Sequence, residues 1–155
     1  LKTSDILNLP AAPLKLEEKN GKTFVFDLIR KKWLQLTPEE WVRQHMINYL
    51  INNKSYPASL FSLEAGLTYN GLKKRSDILV YGINRKPLLL VECKSTSVAI
   101  NQQVVEQVSV YNTALGAAYL CVTNGLKHYC WNKDEATGNF QFFNEIPDYK
   151  EVSLS

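Results

Sequence analysis

One stretch of the chain joins a buried-strand pattern to groups that do chemistry. Leu88-Leu89-Leu90-Val91 is a continuous apolar run, and it ends in Glu92-Cys93-Lys94. Side chains alternate along a strand, so Glu92 and Lys94 share one face while Val91 and Cys93 share the other. Upstream, Ser76-Asp77-Ile78-Leu79-Val80 sets a lone acid at the start of a second strand-like run. If the two runs pair as a hairpin, the start of one lies beside the end of the other, and Asp77, Glu92 and Lys94 meet at one edge of the sheet. Two carboxylates near a lysine make a hard-oxygen site suited to Mg²⁺ or Mn²⁺. Such an ion stabilises charge on a phosphate and lowers the pKa of a bound water. Lys94 would then orient or deprotonate that water, or steady the oxyanion. Acid-x-Lys triplets also occur at Glu17-Glu18-Lys19 and Asp148-Tyr149-Lys150, but neither ends an apolar strand with an acid ahead of it in a neighbouring run. The competing reading is an ion pair at a solvated strand end, which the spacing alone does not exclude.

The elements that must position these residues follow from periodicity and punctuation. Residues 1–36 read as an N-terminal arm, with Pro10, Pro13 and Gly21 in its first part. Thr23–Ile29 alternates with Phe24, Phe26 and Leu28 on one side; a charged turn, Arg30-Lys31-Lys32, leads to a partner strand Trp33–Leu36, so the arm can hold a β-hairpin. Residues 37–155 read as one globular unit. Thr37-Pro38-Glu39-Glu40 opens a helix, with Thr37 as N-cap, Pro38 at the first position and Glu40 three residues past the cap. Trp41, Val42, Met46, Tyr49 and Leu50 form its apolar stripe, and Asn52-Asn53 ends it. Strand-like runs follow at Leu60–Tyr69, Ser76–Ile83 and Leu88–Cys93. Residues 98–115 turn helical, with Val104, Val105 and Val108 inward and Gly116 closing the helix. Ala117–Thr123 reads as a buried strand, Asn124-Gly125 as a tight turn into Leu126–Trp131, and Phe140–Phe143 as a last short strand. Helix, three strands, helix and two strands describe an α/β sandwich with a mixed sheet.

Composition sets the outer bounds. The chain has 155 residues, 45% of them apolar, with 3 Trp, 8 Tyr and 6 Phe, which demand a packed core rather than disorder. No uncharged apolar stretch reaches ~18 residues, so no membrane span is expected, and the first residues lack a signal-peptide pattern. The chain opens on Leu1 rather than Met, as a domain cut from a longer chain would. Its three cysteines are an odd number, and Cys93 and Cys121 lie in apolar runs, which suits a reducing cytoplasm. Net charge is +3, but residues 54–133 carry nine basic residues against four acids, a balance of +5, with −2 on the remainder. A basic body is a mild sign of a polyanionic partner.

The ordered motifs resemble those of the PD-(D/E)xK nucleases and, more narrowly, the N-terminal nuclease domain of type I restriction enzyme R subunits, short stand-alone relatives included. The resemblance runs from about Thr37 to Trp131. It rests on Thr37-Pro38-Glu39-Glu40-Trp41-Val42-Arg43-Gln44, Lys74-Arg75-Ser76-Asp77-Ile78-Leu79-Val80, Leu90-Val91-Glu92-Cys93-Lys94, Gln107-Val108-Ser109-Val110-Tyr111 and Val122-Thr123-Asn124-Gly125. Ser76 stands where the motif's name expects proline.

The resemblance implies a restriction-endonuclease-like αβββαβ core, a mixed central sheet flanked by helices. It also implies a metal-dependent DNA endonuclease of a restriction system that uses Mg²⁺, with Mn²⁺ as substitute. Asp77, Glu92 and the backbone carbonyl of Cys93 match the metal ligands, and Lys94 matches the catalytic lysine. Glu40, with Glu39 as fallback, falls where the first helix supplies an acid acting through a metal-bound water. Gln107 and Tyr111 match a Gln-x-x-x-Tyr helix motif that contacts DNA and supports the site. Implied partners are DNA, and a helicase or translocase or other restriction–modification subunits, since no motor motif is present here. A second copy of the chain would reach both strands of a duplex; a single copy would nick one.

Each of these residues also has a plainer reading. Glu40 fits a capping box without any catalytic role. Gln103, Gln107 and Tyr111 fall at i, i+4 and i+8 on one helical face, which is either an ordinary half-exposed stripe or a site wall. Lys73, Lys74 and Arg75 form a solvated turn or bind backbone phosphates. Glu64 is by default a surface strand acid, with site support as its second role. His45 reads as a satisfied core histidine. Cys121, His128 and Cys130 fit no standard zinc spacing. The alternative function for the whole chain is a catalytically silent DNA-binding or scaffold module that keeps the nuclease fold.

Overall fold

The computed structural model describes residues 5–63, 66–69, 72–75 and 78–153, the segments 66–69 and 72–75 by their backbone. Three antiparallel strands come first: β1 (Leu16–Lys19), β2 (Lys22–Asp27) and β3 (Lys32–Gln35), with β2 in the middle. The alternation expected in β2 is present, and Val25 and Asp27 take its inward side. Val25 and Asp27 are fully buried, while Leu28 is 60% exposed. An acid takes the inward position because its carboxylate is fully engaged there, as described below.

Helix α1 (Pro38–Asn53) starts as its sequence requires. The Thr37 hydroxyl accepts from the Glu40 N–H at 3.0 Å, Pro38 occupies the first turn, and Glu39 and Glu40 meet the positive end of the helix dipole. Val42, Met46, Ile47 and Leu50 are its buried apolar residues; Trp41 and Tyr49 are half-buried.

The expected strand Leu60–Tyr69 is broken in the structure. A 3₁₀ turn (Ala58–Leu60) closed by Leu60 N–H to Pro57 O leads into a two-residue strand, β4 (Phe61–Ser62). The chain then forms a separate antiparallel ribbon, β5 (Gly66–Tyr69) with β6 (Leu72–Arg75). Local pairing between these near neighbours competes with extension of β4. Beyond them run β7 (Ile78–Tyr81), β8 (Pro87–Cys93), α2 (Gln102–Leu115), β9 (Tyr119–Thr123), β10 (His128–Lys133), β11 (Phe140–Phe143) and the short α3 (Tyr149–Ser153). Helix α2 begins later than residue 98, because the Asn101 side chain caps Val104 N–H; it ends at Gly116, whose φ of +78° makes the left-handed cap.

The six-stranded sheet has the order β11-β10-β9-β8-β7-β4 and is mixed, as expected for an α/β fold. Strands β8 and β9 are parallel and every other pair is antiparallel. A parallel pair needs a long crossover, and α2 supplies it. Both faces of the sheet are covered. Val42, Met46 and Leu50 of α1 pack with Ile78, Val80, Leu89, Val91 and Cys93; Val108 and Tyr111 of α2 pack with Leu79, Leu90, Leu120, Val122 and Trp131. Among the described residues no helix is long and apolar enough to cross a membrane.

The N-terminal segment is pinned across the β9–β10 turn. Asn8 N–H donates to Gly125 O at 2.7 Å, and His128 Nε2 lies 2.9 Å from Asn8 O. Gly125 has φ +85°, and a Cβ there would lie 2.8 Å from Leu7 Cδ2 and 3.1 Å from Val42 Cγ2. Conformation and close approach both require glycine at this position. Gly125→Ala is therefore expected to lower the unfolding free energy by about 2 kcal/mol or more, measured by urea denaturation. An unchanged midpoint would show that the arm yields at no cost.

Candidate active site

Glu92 lies near the end of β8, a strand whose apolar residues are buried on both faces of the sheet. By alternation it follows Leu90 onto the α2 face, where its Cα is opposite Val122 of β9. Only 4% of the residue is exposed. The Lys94 ammonium sits 3.2 Å from Glu92 Oε1. Lys94 is held in place by its own backbone, because its N–H donates to Thr123 O at 2.8 Å and so carries the β8–β9 ladder one residue beyond Cys93. The lysine side chain is 31% exposed and its carboxylate partner 5%, so the pair sits at the rim of the interior with its cation towards solvent.

Strand β7 brings the second run alongside as the sequence suggests: Ile78 is opposite Val91 and Leu79 opposite Leu90 in antiparallel register. Asp77, the residue before Ile78 in the chain, lies outside the described residues, as does Glu64. Lys73, Lys74 and Arg75 belong to β6, which pairs with β5, and β5 lies against α2. On α2 itself, Tyr111 is buried among Leu79, Leu90, Val122 and Trp131, whereas Gln103 and Gln107 are exposed. The three do not form one uniform wall: the tyrosine belongs to the core and the amides face solvent.

Glu40 rises from the helix on the opposite face of the sheet. Its carboxylate accepts from Arg43 Nη1 at 3.3 Å and Gln44 Nε2 at 3.0 Å, and Arg30 Nη2 lies 3.7 Å away. The same Gln44 amide nitrogen lies 3.1 Å from Asp27 Oδ2, so one NH₂ group bridges two carboxylates. Asp27 in turn accepts from Ile29 N–H, Arg30 N–H and Arg30 Nε. Two acids and two arginines thus form a compact buried network between β2 and α1. The Thr37–Glu40 backbone bond accounts for half of a capping box, but the Glu40 carboxylate is spent on the network. Asp27 was not marked by the sequence reading, and Gln44 only as the last residue of the first helix motif; an acid within an alternating strand and a glutamine four residues after a helix acid were the signals.

Other candidates resolve into packing. His45 Nδ1 lies 2.8 Å from Trp41 O and its ring meets Trp41 edge-on at 4.3 Å; burial holds it below the usual histidine range, against the opposing backbone bond. Cys121 and Cys130 face each other across β9 and β10 as free thiols. Hydrogen bonding to Cys130 and burial push the Cys121 thiol well up. Both His128 nitrogens are engaged, by Thr123 Oγ1 and Asn8 O.

Among the described residues no group of three His, Cys, Asp or Glu side chains gathers to hold a metal. What is described at the end of β8 is one carboxylate, almost wholly desolvated, paired with an ammonium at the rim.

Residues 38–147 match the family described as the type I restriction enzyme R protein N terminus. Among solved structures the chain is similar to the fragment structure of a protein named as an HsdR subunit of a type I restriction enzyme from Vibrio vulnificus YJ016. Identity is 24% and the TM-score 0.42, over 69% of this chain and 22% of that one. No curated protein matches the chain. The family match spans well over half of the sequence, and the chain belongs to the family of type I restriction enzyme R protein N-termini.

Proposed function

We propose that this domain is a metal-dependent DNA endonuclease of a type I restriction system, cutting phosphodiester bonds at the end of β8. The observation that carries the reading is the buried Glu92 carboxylate paired at 3.2 Å with Lys94 where a doubly covered strand ends. An ion pair of this kind is weak as a stabilising device, since desolvation offsets its Coulomb energy. Its retention in place of two apolar residues points to chemistry.

Asp77, Glu92 and the backbone carbonyl of Cys93 would hold Mg²⁺, or Mn²⁺ in its place; Glu40, engaged with Arg43 and Gln44 on the other face of the sheet, stays outside this set. When bound, the ion supplies charge stabilisation at the phosphate and a more acidic water. Lys94, reaching from the rim to solvent, would orient the attacking water and balance negative charge on the phosphate oxygens. The Asp27–Gln44–Arg30 network ties the Glu40 carboxylate of α1 to the arm. Lys73, Lys74 and Arg75, with Gln103 and Gln107 of α2, bind the DNA backbone, while Tyr111 anchors α2 beneath the site. The remainder of a larger R protein, and a motor with it, would deliver the DNA; a second copy of the chain would supply the cut in the other strand. The setting is the cytoplasm.

The test is cleavage of supercoiled plasmid in Mg²⁺, Mn²⁺ or EDTA by the wild type, Asp77→Asn, Glu92→Gln and Lys94→Ala. Cutting is expected with either metal and not in EDTA, and each variant is expected to lose about 10²–10³-fold in rate. Salt-sensitive DNA binding without cutting in any metal would instead establish the silent module. Neither binding nor cutting would overturn the DNA reading.

The same variants separate function from stability. Glu92→Gln removes a buried charge while keeping shape, and its unfolding free energy is expected to stay within about 1 kcal/mol of wild type or to rise. Lys94→Ala strips the carboxylate of its cation and is expected to lower stability by about 1–3 kcal/mol. Urea denaturation reads both; a marked loss in Glu92→Gln would make the pair structural.

A further inference from the structure

The three-stranded sheet of the arm has an outer face that the nuclease site does not use. Its inner face carries Val25 and Asp27 against the body of the domain. The outer face is set by register. Phe26 is opposite Trp33, Phe24 is opposite both Gln35 and Glu17, and Lys22 is opposite Lys19. Phe26 and Trp33 meet edge-on at 5.3 Å, and Trp33 remains 43% exposed. Lys15 lies on the same side, its ammonium 5.8 Å from the centre of the Phe26 ring. Lys15, Lys19, Lys22 and Gln35 are all exposed. Among the described residues this face therefore presents three rings and three lysines against one acid, Glu17.

We infer that the outer face of the β1–β3 sheet is a binding platform for single-stranded nucleic acid. Rings at alternate positions of adjacent strands offer flat apolar surfaces on which unpaired bases stack, and every base has such a face whatever its identity. Lysines at the margin of the rings meet the phosphates that connect stacked bases, which a purely apolar protein partner would not require. The Gln35 amide beside Phe24 supplies a donor and an acceptor to a base edge. Duplex DNA, with its bases stacked internally, cannot use the rings, so the platform selects separated strands. The site is distinct from the end of β8: it lies on the arm's own sheet, and the arm's inner face contacts the body through the Asp27 network.

The experiment is binding of fluorescein-labelled dT12 in EDTA, where no metal-dependent cutting occurs, followed by anisotropy and by quenching of tryptophan emission, with rU12 and a 12-base-pair duplex for comparison. Wild type is expected to bind dT12 more tightly than the duplex, with quenched emission. Trp33→Ala is expected to weaken dT12 binding about tenfold and to remove most of the quenching, and Trp33→Phe to restore most of the affinity. The double variant Lys19→Ala/Lys22→Ala is expected to reduce the slope of log affinity against log salt by about 1.4. Equal affinity for rU12 supports a platform for either nucleic acid, and weaker rU12 binding supports one for DNA. Absence of dT12 binding by wild type, preference for the duplex, or wild-type affinity in both Trp33→Ala and the double lysine variant overturns the inference. Plasmid cleavage by Trp33→Ala separates this outcome from the nuclease reading: cutting retained with unaltered dT12 binding removes the platform alone, and absence of cutting by wild type removes the nuclease alone.

Discussion

The structure depends on a strand that must be apolar on both faces and yet ends in a charge. β8 is central, paired with β7 on one side and β9 on the other, and sandwiched between α1 and α2. Leu88 to Val91 meet that demand with unbroken aliphatic side chains. Glu92 breaks it at the last turn of the pleat, where a carboxylate is almost out of water and an ammonium stands 3.2 Å away. Replacing such a pair with well-packed apolar residues is often neutral or stabilising, so its presence is a departure from what folding alone would select. Everything around it acts to aim it: the β8–β9 ladder continues through the Lys94 N–H, and Tyr111 locks α2 onto the same face.

A second polar centre ties the arm to the first helix. Gln44 joins Asp27 of β2 to Glu40 of α1 through a single amide, and Arg30 and Arg43 balance the two acids. Such a network is sound only when all its members are satisfied, since a half-filled one costs more than an apolar contact. The arm is thereby an integral part of the architecture around Glu40, reinforced at its start by the bonds from Asn8 to Gly125 and from the Trp41 indole to Asp5 O.

The sequence showed the parts whose causes are local. The Thr37 cap, the Gly116 stop and the apolar run ahead of Glu92 are each decided within a few residues, and period-2 alternation was enough to put Glu92 beside Lys94. The alternation of β2 was legible, but not which side faces in; Val25 and Asp27 turn inward because Asp27 finds a hydrogen-bond partner 17 residues away, which no periodicity encodes. β1 was missed because all four of its residues are exposed and carry no alternation to detect. The run from Leu60 to Tyr69 was joined into one strand because propensity cannot tell extension of a sheet from a local ribbon. Asp77 and Glu64 lie outside the described residues, so their part in the site rests on sequence and on the family.

The most direct measurement is a crystal structure of the domain soaked in Mn²⁺, with the ion located by its anomalous scattering. The account expects a single strong peak at the end of β8, with carboxylate oxygens of Glu92 and Asp77 about 2.0–2.3 Å from it and the Cys93 carbonyl completing the protein ligands. A peak elsewhere, or full soaking with none beside Glu92 while the same crystals bind DNA, would contradict it.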